Sequence, residues 1–245
     1  MFRSLKALPL TLALAALSIF TTSCGSSGQA QIRLINAIPD GQPVDVYVNG
    51  TRIVQSFSFG GVYPPPTTPA SYVKVTSGSA TMQSFLPGDT INPVPPMGTM
   101  PLNGSTQYTV VAIGLELNES PPLLITDNNT VPASGNVEFR IINASVNSPA
   151  GGVDVYIVPP GTDITNYTAQ IRSLSYTQAS DYPSGTVAFA ANGYAVIVTA
   201  SGQKKALIPQ PSTPKAGSIT TLVLVDNAGG NNGMSQTPLV LNDVN

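Results

Sequence analysis

The polar residues best suited to chemistry in this sequence occur in pairs, because one short pattern appears twice. The first copy reads IRLINA at 32–37 and VDVYV at 44–48, and the second reads FRIINA at 139–144 and VDVYI at 153–157. A carboxylate, an amide and a phenol in one row could hold a ligand or a metal ion. The repeated polar residues after the two arginines, Arg33 and Arg140, are Asn36, Asp45 and Tyr47 in the first copy and Asn143, Asp154 and Tyr156 in the second.

A structural interpretation of these residues is favoured over a metal site. If Ala37 pairs with Val44 across the intervening turn, Asn36 lies opposite Asp45, and the equivalent pairing sets Asn143 opposite Asp154. An amide donating to a carboxylate across two strands would fix their register. A single carboxylate without acidic neighbours is a poor metal ligand, so no metal site is predicted.

The composition argues against most kinds of catalysis. The chain has no His and one Cys, which excludes Ser-His-Asp and Cys-His arrangements, His-ligated zinc and an intrachain disulfide. No spacing of Ser, Lys or carboxylate residues singles out another nucleophile and base. We therefore expect no enzymatic activity and no cofactor.

The charge of the chain argues against nucleic acid as a partner. Charged residues make up 9% of the sequence, against roughly 25% in ordinary soluble proteins. The formal net charge is −2, and no basic stretch could neutralise several phosphates. Hydroxyl and amide groups must therefore supply most of the polar surface.

The first residues have the pattern of an export signal. A short basic start is followed by an apolar run over 7–20 and by small residues up to Ser23, so residues 1–23 are predicted to be a signal peptide. The only Cys, Cys24, follows directly, and this junction resembles a bacterial lipobox, which implies a lipid-bearing Cys24. Residues 24–30 would then be a flexible tether to the membrane. If the envelope has two membranes, the outer membrane is expected to carry the anchor. Ordinary secretory cleavage after Ala30 is the alternative.

Alternation and short apolar runs predict an all-β fold from Gln31 onward. Matching blocks repeat in the same order in both halves: the strand at 194–199 is aligned with the strand at 72–76, and 217–223 with 104–110. Two tandem immunoglobulin-like antiparallel β-sandwiches are therefore predicted, at 31–127 and 137–245, with a linker at 128–136. The Pro-rich stretches 64–69 and 87–101 are expected to be connections rather than central strands.

The repeated segments resemble the family called domain of unknown function 4397, found in secreted and surface proteins of bacteria. The resemblance lies in INAIPD at 35–40, VDVYVNG at 44–50 and the closing LLITD at 123–127. Both copies carry Asn where the family commonly has His. The resemblance implies a β-sandwich and an envelope location, and it implies no activity.

Two functions remain open at this point. The first is a non-catalytic lipoprotein of the cell envelope that acts as a structural or adhesive surface module. The second is a surface receptor for carbohydrate or peptide that uses the loops 63–70 and 87–103, with Tyr63 and Tyr182 stacking on the ligand. The expected partners are the membrane and an envelope polysaccharide or surface protein.

Overall fold

A computed structural model describes residues 28–66, 71–230 and 233–244 of the chain. Cys24, the predicted signal peptide and most of the predicted tether lie outside these residues. The predicted all-β fold is confirmed, and the only helix of the described residues is the short 3₁₀ turn Tyr182–Gly185. The strands of the first half are β1 (Gln29–Asn36), β2 (Val44–Val48), β3 (Thr51–Phe57), β4 (Val62–Tyr63), β5 (Val73–Thr76), β6 (Gly78–Phe85), β7 (Pro93–Leu102), β8 (Gln107–Ala112), β9 (Gly114–Leu115), β10 (Asn118–Glu119) and β11 (Leu123–Thr126).

The second half repeats this arrangement with fewer short strands. Its first strand begins at Asn136, the last residue of the predicted linker. Its strands are β12 (Asn136–Asn143), β13 (Val153–Val158), β14 (Ile171–Leu174), β15 (Thr186–Ala188), β16 (Tyr194–Ala200), β17 (Ala206–Ser212), β18 (Ile219–Leu224) and β19 (Leu239–Val244).

Each half is a sandwich of two sheets, and the strand order is the same in both. In the first sandwich β11-β8-β1-β4, with β5 also on β1, faces β3-β2-β6-β7. In the second sandwich β19-β18-β12-β15 faces β14-β13-β16-β17. One pair in each sandwich is parallel, β1 with β8 and β12 with β18, and the other pairs are antiparallel.

Alternation along the strands explains the two cores. Val44, Val46 and Val48 point inward from β2, as predicted, and pack on inward residues of β1 such as Ile32 and Leu34. The same positions of the second half form a separate core around Phe139 and Ile141. Each sandwich therefore has its own apolar centre, built from every second residue of its strands.

Three sequence predictions about strand pairing are wrong. β1 and β2 do not pair with each other but lie in opposite sheets, so the chain crosses between the sheets at the predicted turn. The strand at 194–200 pairs with β13 and β17, which makes it the equivalent of β6 and not of the strand at 73–76. Thr221 of β18 lies beside Arg140 as Thr109 of β8 lies beside Arg33, so Thr221 is the equivalent of Thr109. The predicted alignment of 217–223 with 104–110 is therefore wrong by one residue.

The prediction that the Pro-rich stretch 87–101 forms no central strand is confirmed, but the prediction that it is a connection is wrong for most of its length. Residues 93–102 form β7, which pairs with β6 alone and is the edge of its sheet. An edge strand tolerates Pro because the missing N–H would have faced outward. The connection that remains, 86–92, is a short loop.

The two sandwiches lie side by side with their β1 and β12 strands running in the same direction. At one end the loop after β1 meets the loop after β18 of the other sandwich, since Gly229 N donates to Pro39 O at 2.7 Å. We call this the loop end. The linker and the beginning of β1 lie at the opposite end, the linker end. No helix of the described residues is long and apolar enough to cross a membrane.

Candidate functional site

The outward face of the β11-β8-β1 sheet packs on the outward face of the β19-β18-β12 sheet. Ile35 and Ala37 of β1 and its following loop meet Ile142 and Ala144 in an apolar cluster that also contains Val111 and Leu241. These side chains alternate with the core residues, so the strands β1 and β12 are apolar on both faces. The two sandwiches are thereby joined over a continuous buried surface.

Four charged side chains are buried at the centre of this interface. Arg33 and Asp243 come from different sandwiches and lie 2.5 Å apart, and so do Arg140 and Asp127, at 2.6 Å. Longer contacts close the set, Arg33 to Asp127 at 3.6 Å and Arg140 to Asp243 at 3.4 Å. We call these four residues the charge cluster. Each arginine thus meets the carboxylates of both repeats, and the formal charges balance.

Hydroxyl groups complete the charge cluster. Thr109 Oγ1 accepts from Arg33 at 2.8 Å and donates to Asp127. Thr221 Oγ1 accepts from Arg140 at 3.0 Å and donates to Asp243 at 2.5 Å. Because each carboxylate has a neutral donor beside its arginine, most of the hydrogen-bonding capacity of the buried ions is used.

Two tyrosines cover the arginines in equivalent ways. The Arg33 guanidinium lies 5.5 Å from the ring centre of Tyr72, and that of Arg140 lies 4.9 Å from the ring centre of Tyr182. Tyr72 donates to Asp127 at 2.8 Å, while Tyr182 accepts from Asn128 N at 3.1 Å. Asn129 donates to Tyr72 at 2.7 Å, so the linker is fastened to both sandwiches.

The electrostatics of the charge cluster keep the arginines charged and the tyrosines neutral. Burial alone lowers the pKa of Arg33 and of Arg140, but the facing carboxylates of Asp127 and Asp243 outweigh this effect and raise both pKa values. Burial raises the pKa of Tyr182 to about 12, although the Arg140 charge opposes it. Burial, followed by the charge of Asp127, also raises the pKa of Tyr72.

The repeated aspartates hold a bulge in the neighbouring strand. Asp45 accepts from Ser56 N at 2.8 Å, and Asp154 accepts from Ser173 N at 2.9 Å. Both serines have φ 51°, and strand pairing shifts register beside both aspartates. A residue at positive φ is strained, and the carboxylate fixes its N–H in that conformation.

The predicted hydrogen bonds from Asn36 to Asp45 and from Asn143 to Asp154 are wrong, because the strands involved lie in opposite sheets. Instead Asn36 Nδ2 donates to the carbonyl of Phe57 at 3.0 Å. Asn143 Nδ2 donates to the carbonyl of Leu174, also at 3.0 Å. Both amides therefore join the two sheets of their own sandwich.

The repeated tyrosines lie on the outer face of their sheets. Tyr47 contacts the Phe85 ring edge-on at 5.3 Å, and Tyr156 lies 4.5 Å from the ammonium group of Lys204. Tyr63, predicted to bind a ligand, lies in β4, where it pairs with Leu34 of β1 and packs against the core of the first sandwich. Tyr182, the other predicted ligand residue, contacts the charge cluster, so the structure does not bring these two tyrosines together in one site.

A groove of about 520 Å³ opens at the loop end of the first sandwich, between its two sheets. Its lining combines apolar residues with a few polar ones at the rim. They are Asn36, Ile38, Gly41, Gln42, Val44, Leu86, Val94, Pro95, Pro96, Glu116 and Leu117. Within the described part of the chain, no three His, Cys, Asp or Glu side chains come together as metal ligands.

Sequence reasoning assigned no role to the residues of the charge cluster. Arg33 and Arg140 interrupt otherwise apolar strands, and Asp127 and Asp243 close the two repeats at matching positions. In a chain with so few charges, that coincidence of two arginines with two aspartates was the available signal. It does not say that the partner of each arginine lies in the other repeat.

The fold and the interface define a two-sandwich β protein. Its repeated arginines contact buried carboxylates, and its repeated Asn and Asp side chains contact the backbone. The model of the family described as domain of unknown function (DUF4397) matches residues 30–156, slightly more than half of the chain, and the chain belongs to this family. The match covers the first sandwich, the linker, β12 and most of β13. No curated protein matches the chain.

Proposed function

We propose that this chain is a non-catalytic structural or adhesive module of the bacterial cell envelope. The observation that carries the proposal is the interface, where the charge cluster and the apolar residues around it join two sandwiches into one body. A module that transmits force or holds a distance needs such a fixed connection, whereas independently moving domains require only a small interface. The polar residues that the repeats share serve this connection or the fold of each sandwich.

As part of this proposal, we infer that the second sandwich is a second copy of the family domain. The two sandwiches share their strand order, and Arg33, Asn36 and Asp45 have the equivalents Arg140, Asn143 and Asp154 in matching contacts. Two copies related in this way pair through like surfaces, as the subunits of a symmetric dimer do. The tandem arrangement thus supplies each sandwich with a partner for a face that would otherwise be exposed and apolar.

The orientation of the strands determines which end of the protein a lipid anchor at Cys24 would hold. β1 begins at Gln29, at the linker end, a few residues after Cys24 in the sequence. A chain held by lipid on Cys24 would therefore direct the loop end away from the membrane. The groove and the loops at 38–43 and 86–92 would then face away from the membrane.

The anchor is tested by fractionating cells that produce the wild-type chain, Cys24→Ala or the control Ser27→Ala. We expect the wild type and Ser27→Ala with the membranes, labelled by radioactive palmitate, and Cys24→Ala unlabelled in the aqueous fraction. Retention of Cys24→Ala with the membranes would contradict the anchor.

The structural role is tested in cells that lack the chain. We expect these cells to lose surface adhesion or resistance to detergent, and the wild-type chain to restore it. A chain that carries Arg140→Met, and therefore a broken interface, should restore less at equal abundance. Unchanged adhesion and resistance after loss of the chain would contradict the proposed role.

A further inference from the structure

The groove at the loop end of the first sandwich differs from the equivalent region of the second. In the second sandwich Asp226, 1% exposed, closes the loop after β12 by accepting hydrogen bonds from Ser145 Oγ and from the backbone of Val146 at 2.9 Å and Asn147 at 3.3 Å. The equivalent of Asp226 in the first sandwich is Gly114. The carboxylate that closes one sandwich is therefore missing from the other.

Gly114 cannot be replaced by the closing aspartate without rearrangement. Its φ is 106°, and a Cβ at this position would lie 2.9 Å from Asn118 O. A residue with a side chain is strained at that φ and would collide with the hairpin of β9 and β10. The first sandwich therefore lacks this aspartate, and Asp40 joins the corresponding loops instead by accepting from Glu116 N at 2.9 Å.

One wall of the groove is held by the second sandwich. Pro39, in the loop that carries Ile38 and Gln42, accepts from Gly229 N at 2.7 Å. On the same wall Leu115 lies against Gly230, so close that a Cβ on this glycine would be 2.9 Å from Leu115 Cδ2. Contacts between the two repeats therefore hold the wall formed by the loops 38–43 and 113–117 in place.

The floor of the groove is apolar, and no aromatic residue of the described part of the chain lines the groove. Ile38, Leu86 and Val94 lie along it, and a small void of about 10 Å³ continues it toward the core. Leu117 at the rim is 96% exposed, and Ile91, in the loop between Leu86 and Val94, is 83% exposed. These are the most exposed large apolar side chains of the described residues.

The charge around the groove has one sign. The loops 38–43, 86–92 and 113–122 contain four acidic residues and no Lys or Arg. Glu116 lies at the rim with its N–H on Asp40 Oδ1 at 2.9 Å and its Oε1 3.4 Å from Gln42 Nε2. An occupant that complements this site combines apolar side chains with a positive charge.

We propose that the groove binds an extended segment of another protein in which an aliphatic residue stands beside a lysine or arginine. The aliphatic side chain enters between Ile38 and Val94, Leu117 folds over it, and the cation lies against Glu116 and Asp40. A volume of about 520 Å³ is within the range of roughly 300–1,000 Å³ that is usual for ligand sites. Aliphatic walls without an aromatic platform suit a peptide better than a sugar ring.

The test begins with selection of a random heptapeptide phage library on the purified full chain, with the wild type compared to single variants. We expect enriched peptides that place an aliphatic residue next to lysine or arginine. Synthetic copies are then measured by fluorescence anisotropy. Leu117→Ser should weaken binding roughly tenfold, because an apolar contact of side-chain size is lost.

The charge contribution is measured with Glu116→Gln, which should weaken binding about two- to fivefold at low salt and leave binding at high salt unchanged. The control variants are Val131→Ser, which changes an exposed apolar residue of the linker, and Asp181→Asn, which removes an exposed acid elsewhere. Both should bind like the wild type.

Several results would overturn the proposal. One is the enrichment of acidic or wholly polar peptides, and another is a Leu117→Ser variant that binds peptide as tightly as the wild type. A third is a sugar found on a glycan array whose binding depends on Leu117. The fourth is a groove that binds only a second copy of this chain. The structural role proposed above does not depend on this test, since it rests on the interface and not on the groove.

Discussion

Removal of one arginine from the charge cluster should destabilise the whole protein. Arg140 is fully buried and donates to Asp127 at 2.6 Å, to Thr221 at 3.0 Å and to Tyr182 at 2.5 Å. Arg140→Met keeps most of the side-chain volume but leaves two buried carboxylates facing the single arginine Arg33. Breaking a buried ion pair in this way typically costs about 3–5 kcal/mol.

The lower half of that range is expected here, about 3 kcal/mol, because Asp127 keeps other partners. It still accepts from Thr109 and Tyr72, and Arg33 lies 3.6 Å away. The free energy of unfolding is measured by urea titration, with far-UV circular dichroism as the signal. Tryptophan fluorescence cannot be used because the chain has no Trp. For an m-value of roughly 2–3 kcal/mol per M, the midpoint should fall by about 1–1.5 M urea.

A double-mutant cycle separates charge balance from packing. Asp127→Asn alone should also destabilise, but Arg140→Met with Asp127→Asn leaves Arg33 and Asp243 as a balanced pair at 2.5 Å. The double variant should therefore be more stable than the sum of the single changes predicts, by about 1–3 kcal/mol. Arg172→Met on the exposed edge of β14 is the control and should change stability by less than about 0.5 kcal/mol.

Additive effects of the two single changes would refute the reasoning, since they would mean that Arg140 and Asp127 do not interact in the folded protein. A loss of less than about 1 kcal/mol in Arg140→Met would refute it as well, because an exposed pair contributes no more than that.

Three further predictions concern individual side chains. Glu138 is buried with no hydrogen-bond partner for Oε1 among the described residues, and burial, opposed by the Arg140 charge, raises the pKa of its carboxyl group. The folded protein therefore favours the protonated carboxyl group, and it loses stability as the pH rises and this group ionises. Glu138→Gln should melt at a higher temperature than the wild type at pH 7 and at the same temperature at pH 3. Because the pKa of Tyr182 is about 12 and the unfolded value is near 10, the wild type should lose stability between pH 10 and 12, and Tyr182→Phe should lose less over that window in urea titrations. Asp154→Ala should cost about 1–3 kcal/mol, because Ser173 N and Gly202 N lose their acceptor. A lower melting temperature of Glu138→Gln at pH 7, an equal alkaline loss in Tyr182→Phe, or wild-type stability of Asp154→Ala would contradict the corresponding contact.

Local patterns in the sequence predicted the strands well. β2 coincides with the VDVYV segment at 44–48 and β13 covers the VDVYI segment at 153–157, because these runs of apolar and β-branched residues end at residues that favour turns. The β-sandwich class follows from the number and spacing of such segments. The pairing of strands could not be read in the same way, since a short loop after β1 is compatible both with a hairpin and with a crossing to the opposite sheet.

The candidate site was beyond sequence reasoning for a related physical cause. Arg33 and Asp243 are in contact although 210 residues separate them, and no local pattern encodes such a pair. The outward apolar residues Ile35 and Ile142 indicate that their strands are buried on both faces. The sequence does not indicate that the surface covering each outward face belongs to the other repeat. The groove depends on a difference between equivalent residues, Gly114 and Asp226, whose alignment needs the observed register of β8 and β18.

The central claim, that the two sandwiches form one rigid body, is tested most directly by ¹⁵N relaxation of backbone amides in the two halves. We predict one common rotational correlation time for the amides of 28–127 and 137–244, with the value of a single particle of this mass. Two different correlation times, each of a body about half that size, would show that the sandwiches tumble independently and would contradict the account.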